Sequence, residues 1–269
     1  GHADLISSEQ IGELKDDYPN VKIGQWFLDP LNKKGPDFER NKLRILDKIN
    51  LVDSTFLTTS PSALNFLKHN EKSFYIPNPS DSSFETLNNY KRSCSVDVFF
   101  ALSHGVHRGK LKIGKTDDRI IFLNKLQNIT HDVKFDIYGI NKVQPIWADH
   151  YFKTIYNCKM GLNLSRGDAI KYYSSDRITQ IVGNGLVCLI DEKTRYNDFF
   201  NKDEMVFYKN VDDLSEKIQK ISNDEKLRKK IGYNGKKKYM KFFNSNIVSQ
   251  YIIEKTLGIK SKNFYLWDN

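Results

Sequence analysis

Two short apolar segments with a helical segment between them determine the predicted fold: Met160-Gly-Leu-Asn-Leu164, Ser175-Asp-Arg-Ile-Thr-Gln-Ile-Val-Gly183 and Leu186-Val-Cys-Leu-Ile-Asp191. The outer two are as short and as continuously apolar as buried strands, whereas the apolar residues of the middle one recur with helical spacing. A strand, a connecting helix and a second strand form the unit from which parallel sheets are built. The turn at Gly183-Asn-Gly185 indicates close packing between helix and strand.

The same alternation of apolar and amphipathic segments runs along the rest of the chain. We predict strands over residues 21–28, 54–59, 73–76, 96–102, 134–138, 160–164, 186–191 and 205–208. We predict helices over residues 38–49, 117–126, 148–158, 175–183, 211–221, 225–239 and 246–257. A further helix is expected to begin at Ser60-Pro61, with Ser60 as its cap and Pro61 in the first position. The pattern predicts an α/β fold.

A polar segment separates two series of these units. Residues 80–93 are rich in Ser and Asn and have little apolar periodicity, which is typical of a link between domains. We predict a partial N-terminal domain over residues 1–80, a linker over 81–93, a C-terminal domain over 94–258 and a tail over 259–269. The first domain has only three predicted strands, fewer than a complete doubly wound sheet, and the chain begins with Gly1 rather than Met. We therefore expect its N-terminal portion to be missing or shortened.

The composition indicates which kinds of partner and which cellular compartment suit this protein. Lys and Arg outnumber Asp and Glu by 42 to 33, and the net charge of +9 suits nucleic acid, an acidic membrane surface or a phosphorylated ligand. The three cysteines lie far apart in apolar stretches, which favours buried thiols over a disulfide framework or a zinc site. No run of about 18 apolar residues occurs. These features predict a cytoplasmic protein.

Two loops at the predicted sheet edge have the composition of an anion site, because loops at the carboxyl ends of parallel strands hold the ligands of doubly wound folds. The loop over residues 103–115 contains Ser103, His104, Gly105, His107, Arg108, Lys110, Lys112 and Lys115. Glycines let backbone N–H groups approach a ligand, and the basic side chains supply positive charge. In the second loop, Ser174, Ser175 and Asp176 begin a helix, and Arg177 follows them. Helix N-termini and arginine forks both favour phosphate oxygens, although solvated loops are a simpler interpretation of each.

The order of several short motifs is more specific than any single one of them. These motifs are Trp26 to Pro30, Thr59-Ser-Pro-Ser-Ala-Leu64, Tyr75-Ile-Pro-Asn78, Asp97-Val-Phe-Phe-Ala-Leu-Ser-His-Gly105, Arg119 at a helix start, Phe135-Asp-Ile-Tyr-Gly139, Gly161-Leu-Asn-Leu-Ser165 and Ser175-Asp-Arg-Ile178. In this order the chain resembles the CgeB-like branch of the GT-B glycosyltransferases over nearly its whole length. The resemblance implies two Rossmann-like domains, of which the N-terminal one is incomplete here, with a nucleotide sugar bound between them.

The resemblance also assigns donor-binding residues. It implies that the nucleotide base lies near Tyr138 and Gly139, and the diphosphate near residues 103–105, Arg119 and the helix start at 174–177. Retaining relatives carry two glutamates eight positions apart, and counting back from Gly185 places Tyr172 and Gln180 at those positions. Neither is acidic, although Gln180 can hydrogen-bond a ribose hydroxyl.

For the chemistry, the fold implies transfer without a metal or another cofactor, since helix dipoles and basic side chains can stabilise the departing diphosphate. An inverting enzyme needs a base, for which Asp29 and His2 are the candidates. The expected acceptor is a glycan, a lipid or another cell-envelope molecule.

Three other functions stay open at this point. A nucleotide-sugar epimerase has the same architecture, and the non-acidic residues at 172 and 180 also suit a non-catalytic nucleotide-sugar-binding module. The basic clusters Lys226-Leu-Arg-Lys-Lys230 and Lys236-Lys-Lys238 suit nucleic acid or the inner face of an anionic membrane. Nucleic acid is disfavoured, because no stacking aromatic residues or recognition helix accompany the charges.

Overall fold

Two parallel β-sheets, one from each half of the chain, organise the fold. The computed structural model describes residues 6–35, 37–67, 70, 72–102, 106–107, 110–111 and 118–268, the two short pairs by their backbone only. Within these residues the α/β class predicted from the alternating pattern is confirmed.

The first sheet has three strands in the order β1-β2-β3. Its elements are α1 (Ser8–Asp17), β1 (Gly24–Phe27), α2 (Phe38–Ile49), β2 (Ser54–Leu57) and β3 (Ser73–Tyr75). The strands pair in parallel, with Gly24 opposite Ser54 and Thr55 opposite Ser73. Helix α2 has the predicted bounds, and each strand is shorter than predicted.

In this half, the helix predicted at Ser60-Pro61 differs from the structure, and helix α1 was not predicted. At Ser60-Pro61 the chain forms only a short 3-10 turn over Pro61–Ala63, because Leu64 is extended and the Ser60 hydroxyl pairs with that of Ser62 instead of capping a helix. Helix α1 begins with a capping box in which Ser7 and Gln10 satisfy each other's backbone N–H groups.

The second sheet has five parallel strands in the order β10-β9-β8-β4-β7. Its strands are β4 (Val96–Ala101), β7 (Phe135–Tyr138), β8 (Cys158–Asn163), β9 (Val187–Asp191) and β10 (Val206–Tyr208), and a small antiparallel hairpin consists of β5 (Val106–His107) and β6 (Lys110–Leu111). The helices are α3 (Asp118–Ile129), α4 (Ala148–Ile155), α5 (Arg177–Gly183), α6 (Val211–Asn223), α7 (Glu225–Phe242) and α8 (Ser245–Leu257). No helix among the described residues combines the length and the apolar character needed to cross a membrane.

The central strand β4 is buried on both faces, which is why its sequence is continuously apolar. Phe99 and Ala101 belong to the core cluster on one side of the sheet, and Val98 and Phe100 belong to the cluster on the other side. The three cysteines are free and buried, as predicted, and burial raises the pKa of the Cys94 thiol. The carboxyl end of this strand therefore has a fixed position between two packed layers.

Helix α8 links the two halves by packing on the first sheet. The Thr256 hydroxyl lies 2.7 Å from that of Ser54, and the Tyr251 ring packs edge-on against Phe56. The segment after α8 packs on the same helix, with the Trp267 ring 5.4 Å from Tyr251. The predicted domain boundaries stay predictions, but these contacts bring the C-terminal residues onto the N-terminal sheet.

Candidate functional site

A pocket of about 210 Å³ lies where the central strands of the second sheet end. Its floor is formed by the last residue of β4, Ala101, and by Leu102, and its walls come from the starts of α4 and α5. The lining residues are Ala101, Leu102, Ile146, Trp147, Ala148, Tyr151, Phe152, Asp176, Arg177 and Gln180. Aromatic and apolar walls with a few polar groups at one end are typical of a small-molecule site.

Arg177 is held in this pocket by contacts made by the side chain along its length. Its Nη2 donates a hydrogen bond of 2.7 Å to the carbonyl oxygen of Leu164, and its guanidinium lies 5.1 Å from the centre of the Phe100 ring. Burial lowers the pKa of Arg177, and the nearby Arg119 guanidinium lowers it further. Because an arginine keeps its charge even so, a positive charge is fixed at the start of α5.

Two polar groups at this pocket are buried and have no hydrogen-bond partner among the described residues. They are the hydroxyl of Tyr151 and the Nε of Arg177. Burial raises the pKa of Tyr151, and the nearby Arg177 opposes that effect. Buried polar groups without partners are rare in folded proteins, so a pair of them in one pocket indicates groups that bond to a ligand or to water.

Further charged groups surround Tyr173, which precedes α5. Burial raises the pKa of Tyr173; Arg177 and Arg119 lower that pKa, whereas Asp29 and Asp176 raise it. Asp29, from the loop after β1, therefore acts on the same tyrosine as the two arginines. Arg119 is buried in the first turn of α3. Asp29 and Arg119 each have a further interaction besides these.

The residues just before α5 are fixed by hydrogen bonds to Asn78 in the first half of the chain and to residues of the second half. Nδ2 of Asn78 donates to the Ser174 carbonyl oxygen at 3.0 Å and to the Ser174 hydroxyl at 3.2 Å. That hydroxyl also lies 2.9 Å from the hydroxyl of Tyr196, which lies 3.2 Å from that of Tyr75. Ser175 donates to Asn163 Oδ1 at 2.8 Å. The two serines therefore hold the loop in place rather than cap the helix.

Tyr172 lies outside the pocket, in a contact of its own. Its backbone has φ +62°, and its hydroxyl donates a 2.9 Å hydrogen bond to Asp198. Its ring packs between Tyr75 at 5.1 Å and Phe199 at 4.5 Å. Burial raises the pKa of Tyr172 to about 12, and the hydrogen bond to Asp198 contributes.

Tyr138 and Gly139 lie at the end of β7, next to the pocket rather than among its lining residues. The Tyr138 ring packs 6.3 Å from Phe99 and 6.1 Å from His150. Gly139 has φ +83°, and a Cβ atom there would overlap the carbonyl oxygen of Leu102. The glycine therefore lets the ends of β7 and β4 approach each other directly below the pocket.

The profile of a family described as glycosyl transferase-like matches residues 119–254, half of the 269-residue chain. The chain belongs to this glycosyl transferase-like family. No curated protein sequence matches the chain significantly. The narrower CgeB-like assignment stays a prediction.

Solved structures of glycosyltransferases share the GT-B fold with this family member. TarM from S. aureus, in complex with Fondaparinux, alpha-GlcNAc-glycerol and UDP, has a TM-score of 0.60 at 15% identity, covering 99% of this chain and 57% of that one. HepE from Anabaena, in complex with UDP and glucose, has a TM-score of 0.63 at 13% identity, covering 92% and 75%. Sucrose-phosphate synthase from Thermosynechococcus elongatus has a TM-score of 0.62 at 11% identity, covering 92% and 70%. The chain spans little more than half the length of TarM.

The predicted site residues of this family member, donor-binding residues and candidate bases together, fall into three groups. The first group lines the pocket or lies within electrostatic reach of it: Arg177, Gln180, Arg119 and Asp29. The second group supports or adjoins the pocket: Ser174, Ser175, Tyr138, Gly139 and Tyr172. The third group lies outside the described residues: Ser103, His104, Gly105, Arg108, Lys112, Lys115 and His2, together with the side chains of His107 and Lys110. For this third group the predicted phosphate contacts stay predictions.

The residues of α4 that line the pocket, and two asparagines that bond to the serines before α5, were not predicted as site residues. Trp147 and Tyr151 lie on a helix with an apolar face, where aromatic residues normally indicate core. Asn78 and Asn163 follow or end strands, and a polar residue at a strand's carboxyl end is the signal that was available for both.

Proposed function

We propose that this protein is a glycosyltransferase that transfers a sugar from a nucleoside diphosphate sugar to an acceptor hydroxyl, and that the donor binds in the pocket at Arg177. The observation that carries the proposal is the pair of unpartnered buried groups, Tyr151 Oη and Arg177 Nε, in a pocket at the strand ends of a GT-B fold. Membership of the glycosyl transferase-like family supports the reaction class.

In the proposed reaction, Arg177 and Arg119 stabilise the negative charge that develops on the leaving diphosphate. Breaking the glycosidic bond to the nucleotide leaves negative charge on a phosphate oxygen, and fixed cations stabilise that charge in the transition state. Arg177 and Arg119 lie near each other, so their mutual repulsion is relieved when an anion binds between them. In this proposal the arginines and the start of α5 supply the stabilisation, and transfer proceeds without a metal.

The choice of UDP as the first donor to test comes from the structural neighbours. HepE was solved with UDP and with UDP-glucose, and TarM with UDP. The aromatic wall of Trp147, Tyr151 and Phe152 offers a surface on which a base can stack.

A second pocket, on the N-terminal domain, is the proposed acceptor site. It measures about 580 Å³ and lies beside the loops that follow β1 and β2, with Ile170 of the loop before α5 on its border. Leu31, Leu64 and Phe66 supply apolar surface, and Lys33 supplies a positive charge, whereas Lys42 of the same lining pairs with Glu39 at 3.3 Å. This lining suits an amphiphilic acceptor, such as a lipid-linked molecule of the cell envelope. Asp29 lies in the loop after β1, two residues before Leu31 of this pocket, and is the proposed base.

A nucleotide screen by thermal shift and calorimetry tests donor binding. At a ligand concentration of about 100 Kd, binding stabilises the folded state by about 2.7 kcal/mol, which for a chain of this size raises Tm by roughly 5–10 °C. We expect this shift with UDP or UDP-sugars and smaller shifts with GDP and CMP. Absence of stabilisation by every nucleotide would refute donor binding and transfer together.

The variant Arg177→Ala localises the site. Losing a charge-assisted hydrogen bond costs about 1–3 kcal/mol, so we expect UDP affinity to fall roughly 5- to 150-fold. Arg40→Ala is the matched control, since Arg40 is exposed on α2 and pairs only with Asp37 among the described residues. Equal UDP affinity in both variants would exclude Arg177 from the donor site.

A non-catalytic nucleotide-sugar module remains the second candidate, because Tyr172 and Gln180 replace the acids of retaining relatives. The two functions differ in the fate of a bound UDP-sugar. A transferase hydrolyses it slowly without acceptor and releases UDP, an epimerase interconverts the sugar without releasing UDP, and a binding module leaves it intact.

A further inference from the structure

Four exposed apolar side chains form a ridge at the C-terminal end of the molecule. The ridge consists of Ile253 and Leu257, one turn apart on the outer face of α8, together with Ile259 and Phe264 from the segment after it. Each is between 49% and 60% exposed. A single exposed apolar residue is ordinary, whereas a contiguous group of them usually marks a binding surface.

The segment that carries Ile259 and Phe264 is fixed against α8. Gly258 ends the helix in the left-handed conformation, and the Ile259 N–H donates to the Glu254 carbonyl oxygen at 2.9 Å. The Glu254 carboxylate accepts hydrogen bonds from the Asn263 amide at 3.1 Å and from the Tyr265 hydroxyl at 2.7 Å. The ridge is therefore a formed surface rather than a loose end.

Four exposed lysines border the ridge. Lys260 and Lys262 lie in the same segment, and Lys237 and Lys241 lie one turn apart near the end of α7. The Lys241 ammonium lies 4.9 Å from the centre of the Phe242 ring, and the centres of the Phe242 and Phe264 rings are 6.3 Å apart. Across the described part of the chain none of the four lysines forms an ion pair.

A recess of about 430 Å³ lies between α7 and the loop before β10, and Lys237, Lys241 and Phe242 line one side of it. Two acids line the other side, but Asp203 pairs with Lys230 at 3.0 Å and Glu204 pairs with Lys238 at 2.8 Å. The charge of the recess is therefore that of Lys237 and Lys241.

The basic residues predicted earlier as an anion-binding face of α7 are largely neutralised within the protein. Besides the two pairs at the recess, Lys229 pairs with Glu225, and Lys236 donates to the carbonyl oxygens of Glu85 and Leu87. Among the described residues of the two clusters, Lys226 at the start of α7 and Lys237 near its end have no ion pair, and Lys237 and the neighbouring Lys241 lie beside the ridge.

We propose that the ridge and its four lysines bind the surface of an anionic lipid bilayer. Apolar side chains on such a surface enter the boundary between headgroups and acyl chains, while the lysines around them meet lipid phosphates. A second copy of the chain is a poorer fit, because a symmetric contact would bring the same four lysines of each copy face to face. The surface is separate from the donor pocket, so it stands independently of the proposed reaction.

Sedimentation with vesicles tests the proposal on the full chain. We expect binding to vesicles that mix phosphatidylglycerol with phosphatidylcholine and none to phosphatidylcholine alone. Neutralising one lysine near a membrane weakens binding about fivefold, so Lys260→Gln with Lys262→Gln should weaken it roughly 25-fold. Ile259→Ser with Phe264→Ser removes the apolar contribution and should weaken binding at least about tenfold.

The controls are Ile121→Ser, which removes a 78% exposed side chain on α3, and Lys220→Gln on α6. Both should bind mixed vesicles like the parent protein, and all variants should keep the parent Tm. Equal binding to neutral vesicles, no binding to mixed ones, or equal losses in the controls would each overturn the proposal. So would a dimer in light scattering that dissociates in Phe264→Ser, because the ridge would then be an interface between copies.

Discussion

Asn78 is the residue on which the position of the loop before α5 depends most directly, and its truncation gives a quantitative test. The side chain is 4% exposed, and its amide makes both hydrogen bonds to Ser174 described above. In Asn78→Ala the Ser174 carbonyl oxygen loses this donor inside a buried interface. A buried acceptor left without its partner costs about 1–3 kcal/mol, and the small cavity adds about 1 kcal/mol.

We therefore expect the free energy of unfolding to fall by about 2–4 kcal/mol, which lowers Tm by roughly 5–15 °C in a chain of this size. Because Ser174 lies three residues before Arg177, UDP affinity should also fall several-fold. Differential scanning fluorimetry measures the first effect and calorimetry with UDP the second. Asn128→Ala, an exposed change on α3, is the matched control and should leave both unchanged.

Asn78→Asp separates the hydrogen bond from the shape of the side chain. A carboxylate at this position faces the Ser174 carbonyl oxygen and is buried, so its pKa in the folded protein is raised above the unfolded value. A raised pKa means that the destabilisation is greatest at neutral pH and is relieved as pH falls through the folded value, when the protonated acid can donate. If both variants unfold within about 0.5 kcal/mol of the parent protein at neutral pH, the interface does not position the loop as argued.

Three further experiments, two substitutions and one labelling measurement, test the fold. Gly139→Ala should cost more than about 2 kcal/mol, because the residue would need a left-handed backbone and its Cβ would overlap the Leu102 carbonyl oxygen; a folded variant with the parent Tm would contradict this. The three buried thiols should react with a disulfide reagent only at the rate of unfolding, since burial raises the pKa of each, and fast labelling of the native protein would count against it. Arg228→Met should destabilise by about 3–5 kcal/mol in a denaturant titration, because Arg228 is fully buried and donates to the carbonyl oxygens of Asn89 and Arg92 while pairing with Glu225; a loss below about 1 kcal/mol would show that these groups find other partners.

The order of strands and helices could be predicted from the sequence because three strands of the second sheet, β4, β8 and β9, are buried on both faces. Such strands are continuous apolar runs, and the helices between them have a period that no strand shares. The capping box at Ser7 was a recognisable helix start that was overlooked. The hairpin β5–β6 was not recognised because its sequence was interpreted only as a basic loop rich in glycine.

The site was less predictable because half of it depends on contacts distant in sequence. Arg177 was predicted from a local pattern, a helix start after a buried strand, and Gln180 from the family resemblance; both line the pocket, and their part in donor binding stays a prediction. The serines before them look like helix caps, yet their partners, Asn78 and Asn163, are 96 and 12 residues away. The packing of the two sheets decides which hydrogen-bond partner each serine has. A short segment of sequence does not contain that information.

The two positions at which retaining relatives carry glutamates differ in what the fold requires of them. Tyr172 fills a space between Tyr75 and Phe199, and its hydroxyl donates to Asp198, so an acid there would lose both ring contacts and face a second carboxylate. Gln180 lines the pocket, and its backbone carbonyl, rather than its side chain, serves the helix by accepting from Asn184. The tyrosine at position 172 is therefore required by its packing against Tyr75 and Phe199. The glutamine at position 180 changes only the side chain that lines the pocket. Any catalytic acid or base that this chain contributes must then come from elsewhere: Asp176 lines the pocket, and Asp29 is the base proposed above.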